Sequence, residues 1–194
     1  PADHPLIVHI SSMDGIGYWA DEISEYAIAL ARAFWPGPMT LILKRSELAK
    51  DFVTGGQNTV GIRIPDQTLA LALLTEFEKQ GGMGVAAPSA NRFGKVSPTT
   101  AKAVEAELGA FLDSKDLILD GGSCEVGVES TIIDCTRGAP ALLRPGQITR
   151  PQIEAAGGLP VHSKDALSQP APRASGTLES HYAPRAKVRL IIND

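Results

Sequence analysis

The sequence predicts a mixed α/β protein built around a sheet. Two observations carry that expectation. Short apolar runs bounded by glycine or proline alternate with segments of helical periodicity. The composition, 43% hydrophobic and 21% charged over 194 residues, suits one well-cored globular domain. Nineteen glycines and 14 prolines imply many tight turns without low complexity. Eighteen basic against 22 acidic residues leave a net charge of −4, so no global basic field recruits nucleic acid. No apolar run approaches the ~20 residues of a membrane helix, and Pro1-Ala2-Asp3-His4-Pro5 does not read as a signal peptide. Cys124 and Cys135 cannot form a zinc site alone, and their number does not suggest a disulfide scaffold. A reducing, cytoplasmic compartment fits them.

Leu6-Ile7-Val8-His9-Ile10 reads as a short buried strand entered through Pro5. From about Trp19 to Phe34, Ile23, Ala27, Leu30, Ala31 and Phe34 recur at helical spacing, with acids near the start and Pro36 after the end. Met39–Leu43 and Val60–Ile64 are expected strands. Gln67–Gln80 is an expected helix with Leu69, Leu73 and Phe77 on one face and Ala70 and Leu74 beside them, stopped by Gly81-Gly82. Gly84–Ala87 reads as a small-residue strand leading into the polar loop 88–99. A helix runs from Thr100 to about Leu108, and Leu117–Leu119, Ser130–Asp134 and Ala141–Leu143 read as strands. Pro151 opens a short helix that ends near Gly157-Gly158. Residues 159–180 have the composition of a linker, and Lys187–Asp194 resume as a strand. The expected organisation is therefore a domain over 1–158, a linker over 159–186 and, over 187–194, the first strand of a further domain.

The common nucleotide signatures, Gly-x-x-x-x-Gly-Lys-Ser/Thr and Gly-x-Gly-x-x-Gly, are missing. Ser89 lacks the Gly-x-Ser-x-Gly elbow of a hydrolase nucleophile. What remains is a set of polar residues at strand ends and in loops. Arg63 ends the apolar run Val60-Gly61-Ile62-Arg63-Ile64 and needs a partner anion, because an unpaired buried charge is costly. An internal ion pair or a bound anion would supply it. Ser89, Asn91 and Ser97 crowd one loop fixed by Pro88 and Pro98, a composition that suits phosphate or carboxylate binding or a plain Asx turn. Thr59 lies four residues before Arg63, Ser130 starts a strand and Arg144 leaves one. His9, in a strand of Leu, Ile and Val, has the setting of a satisfied core histidine. Pro36-Gly37-Pro38-Met39-Thr40 reads as a rigid turn into a strand.

Taken in order, Pro-Gly-Pro-Met-Thr at 36–40, Thr-Val-Gly-Ile-Arg-Ile-Pro at 59–65, Ala-Pro-Ser-Ala-Asn at 87–91, Ser-Pro-Thr at 97–99, Glu-Ser-Thr-Ile-Ile-Asp at 129–134 and Leu-Arg-Pro-Gly at 143–146 resemble the YrdC-like family. Ser180-His181-Tyr182-Ala183-Pro184 resembles the linker motif of its longer, two-domain branch. Members carry a Lys-x-Arg pair and a Thr-x-Tyr-Gly-Leu-type segment upstream of the Pro-Leu-Ile-Val-His strand, and this chain begins after both. The resemblance implies a chain truncated at both ends and an open, twisted mixed sheet flanked by helices, with a large concave cavity.

The resemblance also implies an activity: joining L-threonine, bicarbonate and ATP into threonylcarbamoyl-AMP and pyrophosphate, for N6-threonylcarbamoyladenosine in tRNA. His9, Arg63, Ala87 and Ser130 fall at threonine-contacting positions, and Thr59, Ser89, Ser97, Arg144 and His181 at ATP-contacting positions. No protein nucleophile is implied, catalysis resting on positioning and charge stabilisation, with Mg²⁺ sharing the triphosphate charge. The implied partners are the three substrates, the downstream tRNA threonylcarbamoyl-transfer machinery, and a tRNA or double-stranded RNA contact. The composition of the segment from about Ser175 to Pro184 suits either closure over the nucleotide or packing of Tyr182 against the first strand of the further domain. Two other readings compete: a carbamoyl-transfer domain of the hydrogenase-maturation type and a non-catalytic RNA-binding module.

Overall fold

Alternation of side chains along the strands sorts the sheet into a face covered by helices and a face left for the polar residues. The computed structural model describes residues 4–92 and 94–176, so His181 and the expected strand 187–194 lie outside the described residues. The described chain forms two compact units, one built from residues up to Pro88 and from Glu125 onward, the other from Ser89–Cys124.

In chain order the first unit has β1 (Ile7–His9), α1 (Ile16–Trp19), β2 (Ala20–Asp21), α2 (Glu25–Phe34), β3 (Met39–Arg45), α3 (Asp51–Thr54), β4 (Thr59–Arg63), α4 (Thr68–Lys79) and β5 (Val85–Ala87). The second unit contributes α5 (Ala101–Leu108), after which β6 (Thr131–Asp134), β7 (Ala141–Arg144), α6 (Arg150–Gly157) and β8 (His162–Ser163) return to the first. The eight strands make one mixed sheet in the order β5-β1-β4-β3-β6-β7-β8, with β2 paired to β3. Pairs β1/β4, β3/β6 and β7/β8 are parallel and the others antiparallel. The path ends on β5 and β8, so the sheet is open.

Val8 and Ile10, Met39, Leu41 and Leu43, Val60, Ile62 and Ile64, and Ile133 point to the same face and bury completely or nearly so. Ala27, Leu30 and Ala31 of α2 and Ile153 of α6 cover them. The four longer helices, α2, α4, α5 and α6, start on caps that their sequence supplies. The Ser24 hydroxyl accepts from Ala27 N–H at 3.3 Å, and Thr149 with Gln152 closes a capping box at α6.

Three expectations need correction. The helix expected from Trp19 begins instead at Glu25, because Trp19 and Ala20 are taken into α1 and β2, and Ser24 supplies the cap. On α4 the residue buried is Leu74, with Leu71 packed beside the core, while Leu69, Leu73 and Phe77 are 39%, 51% and 44% exposed. Leu117–Leu119 forms no strand. No described strand pairs with it, Leu117 is 84% exposed, and the flanking Asp113 and Asp120 side chains accept from Lys115 and Gly122 N–H in local turns. The described part of the 159–186 segment carries β8 and a 3-10 turn at Lys164–Ala166, and then continues without regular structure to Ala174, which is buried against Ile42, Ile132 and Leu143.

In the second unit, α5 is capped by Thr100, whose hydroxyl accepts from Ala103 N–H. The preceding loop is tied by Asn91, whose amide donates to the carbonyls of Arg92 and Lys95.

Candidate active site

The register of the ladders decides which polar residues share a face. His9 of β1 is the register partner of Arg63 of β4, and Val85 of β5 is the partner of His9. Antiparallel pairing of Leu41 with Ile62 carries Thr40 to the position beside Arg63. Ile132 pairs with both Thr40 and Arg144. His9, Arg63, Thr40, Ser130 and Arg144 therefore line one end of the sheet across β1, β4, β3, β6 and β7, all on the face opposite the helix-covered core. Thr59 and Ala87 lie on the same face but toward its other end, since Thr59 starts β4 and Ala87 pairs with Ile7. Four residues of strand put Thr59 roughly 13 Å from Arg63.

Arg63 is held by the turn that opens β3. Its Nε donates to the Gly37 carbonyl at 3.0 Å, and its Nη2 lies 3.8 Å from the Asp66 carboxylate. A Cβ on Gly37 would sit 2.4 Å from the Phe34 carbonyl oxygen, so this turn closes only on glycine. The Pro-Gly-Pro segment, legible in the sequence only as a turn, thus also orients the arginine. His9 Nδ1 is buried and makes no hydrogen bond of good geometry among the described residues. Burial first, and the Arg63 charge second, lower the His9 pKa to about 4, against an opposing pull from the Val85 and Ile7 backbone. The imidazole is neutral at pH 7.

Arg144 is buried at the exit of β7. Its Nε donates to the Ser130 carbonyl at 3.0 Å, its Nη2 to Ser130 Oγ at 2.9 Å and its Nη1 to the Ser175 carbonyl at 2.8 Å, with Glu129 3.6 Å from Nη2. Ser130 Oγ is also 2.8 Å from Thr40 Oγ1. Thr131 Oγ1 both accepts from Ile148 N–H and donates to its carbonyl at 3.1 Å, fixing the turn after β7. Gly146 in that turn is pressed against Glu129 and Thr131, where an added Cβ would meet the Glu129 carbonyl oxygen and Thr131 nitrogen at 2.6 Å.

A cleft lies toward the Thr59 end of this face, lined by Ile7, Ile42, Thr59 and Gly61 from the sheet and by Arg173, Ala174 and Ser175 from the returning chain. Gly61 keeps its floor low, since a Cβ there would meet Ile42 Cδ1 at 3.2 Å. The returning chain is strapped down. The Gln57 side chain accepts from Arg173 N–H at 2.7 Å and donates to its carbonyl at 3.0 Å, imitating a strand neighbour. Arg173 Nη2 donates to the Gly55 carbonyl, and Ser175 Oγ to that of Pro5.

Ser89 and Ser97 belong to the second unit. Ser97 Oγ donates to Asn91 Oδ1 at 3.1 Å, and Ser89 is exposed, its carbonyl accepting from Asn91 N–H. No group of three His, Cys, Asp or Glu side chains that could hold a metal occurs among the described residues. Cys135 is a buried thiol whose pKa is raised, by burial and then by Asp134, which makes it a poor nucleophile. Among the described residues no helix is long and apolar enough to cross a membrane. Sequence reasoning missed Thr40, Gly37 and Gln57. For Thr40 a signal existed: a hydroxyl within Met39-Thr40-Leu41-Ile42-Leu43 needs a buried partner.

Residues 1–146 match the Sua5–YciO–YrdC family model, which carries the description "Telomere recombination". Residues 148–194 match the "Threonylcarbamoyl-AMP synthase, C-terminal domain" model. The chain is 42% identical over 193 residues to a threonylcarbamoyl-AMP synthase of Pyrococcus abyssi and 43% identical over 193 residues to one of Bacillus subtilis. Those alignments cover 98% of this chain but 55% and 54% of the relatives, so the chain spans about half the length of the curated relatives it matches. The crystal structure of P. abyssi Sua5 complexed with L-threonine superposes with a TM-score of 0.81 at 42% identity, over 96% of this chain and 54% of that one. Escherichia coli YciO, at 21% identity and a TM-score of 0.64, shares the fold. The chain belongs to the Sua5–YciO–YrdC family.

Proposed function

We propose that this protein forms threonylcarbamoyl-AMP and pyrophosphate from L-threonine, bicarbonate and ATP. The observation that carries the reading is the shared sheet face: His9, Arg63, Ser130, Arg144, Thr59 and Ala87 come from five strands, yet the register brings them all to the side away from the core. In this reading the Arg63 guanidinium pairs with the threonine carboxylate, and the neutral His9 ring and the Ser130 hydroxyl give the amino acid polar partners. A site built to hydrogen-bond a substrate hydroxyl rejects an analogue lacking it far better than an apolar pocket does. Ala87 offers only backbone groups. Thr59, Ser89, Ser97, Arg144 and His181 hold the nucleotide.

The threonine amine condenses with bicarbonate to a carbamate, losing water. A carbamate oxygen then attacks the α-phosphorus, and the bond from that phosphorus to the pyrophosphate oxygen breaks. No protein atom is bonded covalently, so the side chains contribute alignment and charge stabilisation. Mg²⁺ enters with ATP as the MgATP substrate and shares the triphosphate charge. The mixed anhydride product is reactive and calls for a consuming acyl transfer to the adenosine amine of tRNA, which makes that transfer machinery and a tRNA or double-stranded RNA the expected later partners. A reducing cytoplasm suits the free thiols Cys124 and Cys135.

The test is pyrophosphate release by the whole protein with MgATP, omitting threonine or bicarbonate in turn. Release should require both. Release that ignores threonine, or that follows carbamoyl phosphate instead, overturns the assignment.

A further inference from the structure

Three hydrogen-bonding side chains on adjacent strands form a buried chain at the end of the sheet: Thr40 of β3, Ser130 before β6 and Arg144 of β7, exposed by 0%, 5% and 7%. The proposed function uses Ser130 for the amino acid and Arg144 for the nucleotide. It leaves Thr40 without a task. We propose that Thr40 is a positioning residue that sets the direction of the Ser130 hydroxyl proton and thereby couples threonine binding to ATP binding. This rests on the site reading above.

The proton inventory carries the inference. A guanidinium only donates, so Ser130 Oγ accepts from Arg144 Nη2 at 2.9 Å whatever else it does. Ser130 has one proton of its own. Thr40 Oγ1, 2.8 Å away, can either receive that proton or donate its own to Ser130 Oγ. When a ligand acceptor takes the Ser130 proton, Thr40 turns from acceptor to donor. Ser130 Oγ then receives two hydrogen bonds and gives one. Each bond in such a chain polarises the next, so the Arg144 contact strengthens as the amino acid binds. Arg144 is already fixed from two other sides, by the Ser130 and Ser175 carbonyls. The strengthened bond settles its guanidinium in the plane needed for the nucleotide. Removing the Thr40 hydroxyl leaves Ser130 and Arg144 in contact but ends the reversal, so each ligand still binds and neither senses the other.

The experiment is isothermal calorimetry on the whole protein. A non-hydrolysable ATP analogue is titrated with and without saturating threonine, then threonine with and without the same analogue at saturation. The native protein should show the nucleotide tightened by threonine on the order of tenfold, and linkage requires the same factor in reverse for one nucleotide ligand. Thr40→Val, nearly isosteric, should leave each separate affinity within about threefold while that factor falls to about one. Thr40→Ser should restore it. Thr40→Ala serves if the valine methyl is not accommodated, with a thermal melt confirming the fold of each variant. Coupling retained in both Thr40→Val and Thr40→Ala, or no coupling in the native protein, overturns the role of Thr40. A native protein that binds neither ligand instead overturns the site reading itself, so the two failures are distinguishable.

Discussion

At the scale of single residues, His9 shows how a strand of apolar neighbours turns a titratable group into a stability term. A free imidazole protonates near pH 6.5, whereas folded His9 does so only at about 4, because burial and the Arg63 charge oppose the cation. Between those values the unfolded chain takes up a proton that the folded protein refuses. The contribution is fully present above pH 6.5, falls as the pH drops through the window, and levels off below about 4. The shift amounts to ~3 kcal/mol. Urea unfolding at pH 7 and pH 4.5 should therefore show a smaller acid loss in His9→Gln than in the native protein. Equal losses in the two proteins would mean that His9 is not buried as a neutral ring. The same neutrality bears on the proposed chemistry, since a charged ring beside Arg63 would compete with it for the substrate carboxylate.

At the scale of elements, α4 separates what periodicity can and cannot say. Leu69, Leu73 and Phe77 recur at four-residue spacing as plainly as Leu74 and its neighbours do, and spacing alone does not identify the face turned to the sheet. Packing settles it: Leu71 and Leu74 face the core, and Leu73 is half exposed. Leu74→Ala should cost about 2–4 kcal/mol through the cavity it leaves, whereas Leu73→Ala should cost under about 1 kcal/mol. Urea midpoints of the two variants check the ranking, and a larger loss for Leu73→Ala would reverse the assignment of faces. Other elements were legible for physical reasons. The strands at 39–43 and 60–64 are largely apolar runs between turn residues, and Thr100 and Pro151 mark helix starts through their own backbone chemistry. Leu117–Leu119 misled because a strand exists only with a neighbour, and sequence spacing does not supply one. The individual site residues carried weak signals, and their common face emerges only from pairings such as His9 with Arg63, which join segments more than fifty residues apart.

At the scale of the whole molecule, burial is distributed unevenly. The sheet of the first unit carries fully buried side chains in β1, β3, β4 and β6, among them Val8, Met39, Leu41, Ile62, Ile132 and Ile133. No described residue of Ser89–Cys124 is buried, and α5 has no buried side chain at all. Within that unit, order rests on the Thr100 cap, the 2.8 Å Arg92–Glu107 pair, Arg92 over the Phe111 ring and the Cys124-to-Thr99 backbone hydrogen bond. An exposed ion pair is screened by solvent and an N-cap is worth about 1 kcal/mol, far below what a packed apolar core supplies. Local opening of such a segment needs little free energy, whereas the central strands open only with the whole fold. Native-state hydrogen exchange should therefore show the amides of β3, β4 and β6 exchanging at the rate set by global unfolding, and those of α5 orders of magnitude faster. A functional consequence follows under the proposed activity. Ser89 and Ser97 would meet the nucleotide from the segment that opens most easily, so saturating MgATP should slow exchange across residues 89–99 while leaving β3 unchanged. Protection of α5 equal to that of β3 without any ligand would show instead that the polar loop is as rigid as the sheet, and that ATP finds its serines already fixed.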